Sequence, residues 1–205
     1  MLTLTRYAVE RFLYRLSRSR HAEKFVLKGA VLFAVWARQP YRPTRDIDLL
    51  AWGDSSPDAL RSLFQEICTI DVPDDALRFE NDSIRISEIR EEQDYPGQRV
   101  QLTAMLGKAR IPLQVDIGFG DAVFPPPAVV RYPTLLDLPA PEIRAYPKEA
   151  VIAEKFQAIV ALGRGNSRMK DYADLYTMAK DYGFEIMVST LKCFGCPPGI
   201  RTPIC

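Results

Sequence analysis

One histidine, His21, stands among 205 residues and has no companion at ligand spacing, which excludes a His-based metal site and a Ser-His triad. Cysteine is sparse and badly placed for a disulfide framework: Cys68 is isolated, and the other three crowd the last thirteen residues. The single Cys193-Phe-Gly-Cys196 has no second half and no histidine beside it, so it does not read as a zinc site. There is no uninterrupted apolar run of about 18–20 residues, which argues against a membrane span. The N-terminus reaches charge quickly and lacks a long apolar core, so no signal peptide is expected and the chain reads as cytoplasmic. Net charge is almost absent too, at +1.

That near-neutrality conceals a division. Residues 1–45 hold ten Lys/Arg against two Asp/Glu, whereas residues 46–100 hold five against fourteen. A basic front beside an acidic middle suits a protein that attracts a polyanion and also holds cations. Residues 5–17 have helical periodicity, with Phe12, Leu13 and Leu16 as an apolar stripe. Arg11, Arg15 and Arg18 recur on that helix at spacings of four and three, as a phosphate-contacting line or a solvated face. With 47% hydrophobic residues, the chain has enough apolar material to build a core.

The densest information lies between Phe25 and Trp52. Phe25-Val-Leu27 is short, apolar and followed by Lys28-Gly29, which predicts a strand entering a turn. Val31 to Arg38 predicts a buried helix, so Gly29 and Ala30 sit where backbone N–H groups could hold a phosphate. Arg45 then precedes Asp46-Ile-Asp48 at the start of another strand. Strand side chains alternate, so Asp46 and Asp48 share one face. Alone, such a pair also fits an exposed strand. Beside a phosphate-binding turn it suits Mg²⁺ ions bridging nucleotide phosphates.

Downstream, Pro57 to Ile70 reads as a helix, and residues 77–79 and 84–86 as short strand-like pieces. Val100 to Leu106 and Leu113 to Phe119 form a strand pair, with residues 107–110 as the connecting loop. Asp116 interrupts the second strand and is the third candidate carboxylate, since a charge there is costly without a partner. Residues 125–147 are dense in proline and predict an extended linker. Two helices follow, over 148–162 and from about Met169. Lys155 falls inside the apolar stripe of the first, where a lysine snorkels or meets an anion. Asp171 and Asp174 share the apolar side of the second.

Gly29-Ala30 followed by Asp46-Ile-Asp48 resembles the signature of the DNA polymerase β-like nucleotidyltransferase superfamily. Ala153-Glu-Lys155, Asn166 to Leu175, Tyr95-Pro-Gly97 and Val115 to Asp121 are similar to blocks of its AbiEii/AbiGii toxin group. Ala30 departs from the usual Gly or Ser, keeping the N–H but losing any hydroxyl contact.

The resemblance implies an α/β (α+β) fold: a mixed β-sheet flanked by helices, with a helical C-terminal part. The division expected is a catalytic core over 1–124, a linker over 125–147 and a helical part over 148–205. It implies a metal-dependent transfer of NMP from an NTP to an RNA acceptor such as the tRNA 3′ end, within a toxin–antitoxin pair that has a cognate antitoxin. Asp46, Asp48 and Asp116 would hold two Mg²⁺ ions, and Lys28, Gly29, Ala30 and Arg45 would hold the nucleotide. Lys155 would contact phosphate or base, and Asp171 or Asp174 would be the general base. The tail from Cys193 to Cys205 breaks the helical pattern in which family members continue, so a truncated end is also expected. Two rivals share these residues: a small-molecule transferase of the antibiotic-modifying kind, and a non-catalytic member that binds NTP or a partner.

Overall fold

The computed structural model describes residues 2–36, 44–89, 97–120, 123–162 and 169–182. The chain divides into two compact units, residues 1–120 with 129–145, and residues 121–128 with 146–205.

The first unit is built on a seven-stranded mixed sheet. Its strands are β1 (Phe25–Lys28), β2 (Asp46–Ala51), β3 (Leu77–Ile89), β4 (Gly97–Leu106), β5 (Ala109–Phe119), β6 (Ala128–Arg131) and β7 (Glu142–Ala145). They are ordered β3-β4-β5-β2-β1-β7-β6. β2 runs parallel to β5 and antiparallel to β1, while β3, β4 and β5 form an antiparallel meander. The proline-rich segment 125–147 thus supplies two short strands, with its prolines lying outside them, as expected of residues that cannot donate to a ladder. The two strand-like pieces at 77–79 and 84–86 are one strand with a bulge between Glu80 and Arg85, where the extra residues re-aim the chain without ending its pairing.

One sheet face is apolar. Ile47, Leu49, Val100, Leu102, Leu113, Val115 and Ile117 are all buried. Helix α1 (Leu2–Arg18) packs on β5, and helix α3 (Pro57–Cys68) packs on β3. Phe12 of α1 stacks on Phe64 of α3 at 5.7 Å between ring centres and meets Phe79 of β3 edge-on at 5.9 Å, an arrangement that adds to simple area burial. The opposite face takes the polar half of the alternation.

Of the expected basic line on α1, Arg11 and Arg15 are buried against partners, whereas Arg18 is exposed. Arg11 and Glu10 are fully buried, and Arg15 and Asp75 are 5% exposed. Arg15 grips the Asp75 carboxylate with two bonds, of 2.6 and 3.0 Å, and Arg11 adds one of 3.2 Å. Arg11 also donates to the Pro139 carbonyl, and the Leu135 N–H donates to Glu10. This network ties the helix to the turn before β3 and to the segment before β7. Spacing of four and three identifies a face, but not whether its charges meet water or partners.

Between β1 and β2 the expected helix over 31–38 opens as a 3₁₀ turn before becoming α-helical. Gly29–Leu32 form a 3₁₀ turn and Phe33–Trp36 one α-helical turn, α2, while residues 37–43 lie outside the description. Val31, Val35 and the two aromatic residues lose rotamer freedom in a helix, which weakens the local preference. Val31, Leu32 and Phe33 are nevertheless buried, and Phe33 meets Trp36 edge-on.

The second unit contains α4 (Lys148–Leu162) and α5 (Met169–Tyr182), which pack together. Ala150 to Ala153 and Met178 are buried. Among the described residues no helix is long and apolar enough to cross a membrane.

Candidate active site

The polar face of the sheet arranges charge through strand register. Lys28 of β1 lies opposite Asp48 of β2, Asp48 opposite Asp116 of β5, Asp116 opposite Arg99 of β4, and Arg99 opposite Ser87 of β3. Residues directly opposite on neighbouring strands project to the same side. One row therefore reads cation, acid, acid, cation. Asp46 lies two positions before Asp48, opposite Gln114 and on the same face. It is exposed, while Asp48 is half-buried.

At the head of this row the chain bends at Gly29, whose φ is +71°. That value is in the left-handed region open to glycine at little cost. Space dictates glycine as well. A Cβ at residue 29 would lie 2.8 Å from Cγ of Asp48 and 2.9 Å from its Cβ. The Asp48 carboxylate is thus seated against the bend. Because the turn that follows Gly29 is 3₁₀, its first N–H groups are free of helical partners and could meet an anion here. Ala30 sits within this turn, half-exposed, and Arg45 is exposed beside Asp46.

Asp116 is held firmly. Arg99 donates from Nε to Oδ1 and from Nη2 to Oδ2, both at 2.8 Å, and Gln114 Nε2 donates to Oδ2 at 3.2 Å. Such a two-pronged pair fixes orientation as well as charge. Arg99 is the residue that sequence reasoning missed.

The described residues contain no group of three or more His, Cys, Asp or Glu side chains arranged to hold a metal ion. Mg²⁺ rarely needs one, since one or two carboxylates with substrate phosphates and water commonly suffice. Asp46 and Asp48 are the right chemistry for such a site: two hard oxygen donors on one face, beside a bend that can take phosphate. Asp116 lies next to them in register, but with its oxygens engaged by Arg99 and Gln114.

The remaining candidates belong to the second unit and form a cluster of their own. Lys155 of α4 contacts Oδ1 of Asp171 at 2.7 Å and Oδ2 of Asp174 at 2.8 Å. The side chains of Lys155, Asp171 and Asp174 are 11%, 16% and 1% exposed. The lysine thus meets anions rather than snorkelling. Asp174 is the sequestered member, whereas Asp171 keeps some access to solvent.

The profile of one family, described as nucleotidyl transferase AbiEii toxin of type IV toxin–antitoxin systems, matches residues 11–194. The chain belongs to this family. No curated protein sequence matches it. Among solved structures it is similar to JHP933 from Helicobacter pylori, with 19% identity, a TM-score of 0.57 and coverage of 90% of this chain and 70% of that one. It is also similar to a candidate nucleotidyltransferase from H. pylori, with 19% identity, a TM-score of 0.54 and coverage of 89% and 72%. At this identity the likeness supports the fold, an α/β nucleotidyltransferase architecture with a mixed sheet and flanking helices.

Proposed function

We propose that this AbiEii-family chain transfers a nucleoside monophosphate from an NTP to an RNA acceptor, with the tRNA 3′ end favoured, in a Mg²⁺-dependent reaction. The observation that carries the reading is the seating of Asp48 against the Gly29 bend, in register with Lys28 on one side and Asp116 on the other. In this scheme Lys28, Arg45 and the N–H groups at Gly29 and Ala30 hold the triphosphate. Asp46 and Asp48 present their oxygens to divalent cations, two of them in the full scheme. Asp116 stands beside them as the third acid. When bound, those cations supply charge neutralisation for the attacking and leaving oxygens.

The acceptor hydroxyl oxygen attacks the α-phosphorus, the bond to the bridging oxygen breaks, and pyrophosphate departs. Within the second unit, the family resemblance makes Lys155 the candidate phosphate contact and Asp171, the more accessible of its two partners, the candidate general base. Asp174 is left to anchor the lysine. A cognate antitoxin and a cytoplasmic setting accompany the toxin–antitoxin role.

An RNA acceptor, as against a small molecule, is favoured by the same sheet face. Arg78, Glu80, Asp82, Ser83, Arg85 and Arg110 line an open cavity of about 510 Å³. Arg78 and Arg110 have 76% and 69% of their side chains exposed. They replace the buried arginines of α1 as candidates for phosphate contact. Incubation with labelled NTP, Mg²⁺ and total RNA should label RNA, and chelation should abolish the label. Changing Arg78, Arg85 and Arg110 together to Gln should weaken RNA binding and flatten its salt dependence by up to about three units of slope. Labelling of an aminoglycoside but not RNA contradicts the acceptor assignment. NTP binding without transfer to either contradicts the catalytic reading.

A further inference from the structure

The reading above leaves Arg99 without a part, although it makes the tightest contact to any of the three sheet acids that the structure details. We propose that Arg99 is a positioning residue that competes with divalent cations for Asp116, holding the third carboxylate out of cation coordination in the nucleotide-free protein. The proposal rests on the nucleotidyltransferase reading and deepens it by assigning a control on cation loading.

Three observations carry it. Both oxygens of Asp116 accept from Arg99 at 2.8 Å, and Oδ2 accepts additionally from Gln114. A carboxylate offers about four lone-pair directions, so three are already spent. Next, the register sets Asp116 directly beside Asp48, so a cation held at Asp48 would otherwise meet a second negative charge on the neighbouring strand. Finally, Arg99 reaches Asp116 from its own register position, one strand further on, with 38% of its side chain exposed and 21% of the Asp116 side chain. The pair is open enough to exchange partners, and guanidinium pairs with phosphate as readily as with carboxylate.

Electrostatics sets the direction of the effect. A guanidinium on Asp116 cancels one of the charges a cation would seek and adds a like charge near its site. Removing that guanidinium should therefore tighten cation binding. An arginine serving only to hold the hairpin together would, when removed, loosen the site and weaken it.

The test is Mn²⁺ binding to nucleotide-free protein, followed by electron paramagnetic resonance, with thermal melting as a check on folding. Arg99→Gln should bind Mn²⁺ about tenfold more tightly than the wild type, comparable to the effect of one nearby charge on a carboxylate. Arg99→Lys, which keeps the charge but loses the fork, should give a smaller gain and serves if Arg99→Gln melts early. Adding Asp116→Asn to Arg99→Gln should erase the gain. Unchanged or weaker Mn²⁺ binding by both Arg99 variants overturns the proposal, as does a gain that persists without Asp116. If Asp48→Asn abolishes Mn²⁺ binding while Arg99 variants change nothing, only the Arg99 proposal fails. If Mn²⁺ binding ignores Asp48→Asn, the underlying metal reading fails with it.

Discussion

Asp75→Ala is expected to destabilise the first unit by about 3–5 kcal/mol, because it strands two buried guanidinium groups without their shared anion. Arg11 is fully buried and Arg15 is 5% exposed, and Asp75 receives bonds from both. Against a typical domain stability of roughly 5–15 kcal/mol, that loss leaves a protein that is marginal or unfolded near body temperature. Glu66→Gln, which weakens an exposed contact with Arg20 and a part-buried one with His21, should cost much less. Chemical denaturation of the three proteins checks the ranking, and equal midpoints would contradict it.

The same network gives a pH signature. Burial pushes the Asp75 carboxyl up, but the Arg15 hydrogen bonds and charge, the Leu77 N–H and Arg11 more than offset it, leaving the group below its ordinary value. A carboxylate depressed in the folded state contributes stability that is complete above its unfolded value, about 3.9, and lost as pH falls through the folded one. Glu10 moves the other way, raised by burial despite the Leu135 N–H and Arg11. Its buried charge costs stability above its folded value, and protonation relieves that cost as pH falls toward the unfolded value, about 4.3. Mild acid should therefore be tolerated, with stability collapsing only below the ordinary carboxylate range. In Asp75→Ala that low-pH collapse should be blunted.

Gly29→Ala should cost activity far more than stability. The left-handed backbone alone costs a non-glycine residue about 1–2 kcal/mol. The added methyl would also lie 2.8 Å from Cγ of Asp48. Asp48 sits in a strand paired on both sides, so relief comes from turning its carboxylate away. A displacement near 1 Å at a reacting group can cost about 100-fold in rate. Gly107→Ala separates the two effects. Gly107 also has a positive φ, +56°, but nothing lies within 4 Å of the added Cβ. It should show the stability loss with transfer retained. If both variants lose transfer equally, the contact between Gly29 and Asp48 has no functional weight.

How far the sequence anticipates these features depends on the type of signal. β2 and α4 begin where expected, at Asp46 and Lys148, because an alternating start and a long apolar-rich run without breakers are strong local cues, although Phe156 and Val160 of α4 are exposed. The seating of Asp48 on Gly29 adds something alternation cannot state, since it depends on the pairing of β1 with β2. Arg99 was hidden by a loop length. A four-residue connection over 107–110 sets Gln101 opposite Asp116. The actual two-residue turn at Gly107-Lys108 pairs Leu106 with Ala109 and carries Arg99 there instead. The face stays the same, yet the partner changes from an amide to a cation, because hairpin length sets register. Likewise, α1 is legible as a helix, but the meaning of Arg11 and Arg15 lies in Asp75, 64 and 60 residues away. Lys155 shows the reverse case. A lysine in an apolar stripe calls for an anion, and Asp171 and Asp174 supply it.

If Asp48 carries the chemistry of nucleotide transfer as proposed, removing its charge should abolish transfer and spare the fold. Single-turnover label transfer from an NTP, compared between the wild type and Asp48→Asn at matched folding, decides this. Asp48→Asn should melt within a few degrees of the wild type while its transfer falls by about 1,000-fold or more, in line with losing an electrostatic group from a reacting centre. Transfer by Asp48→Asn at a rate close to that of the wild type would contradict the proposal.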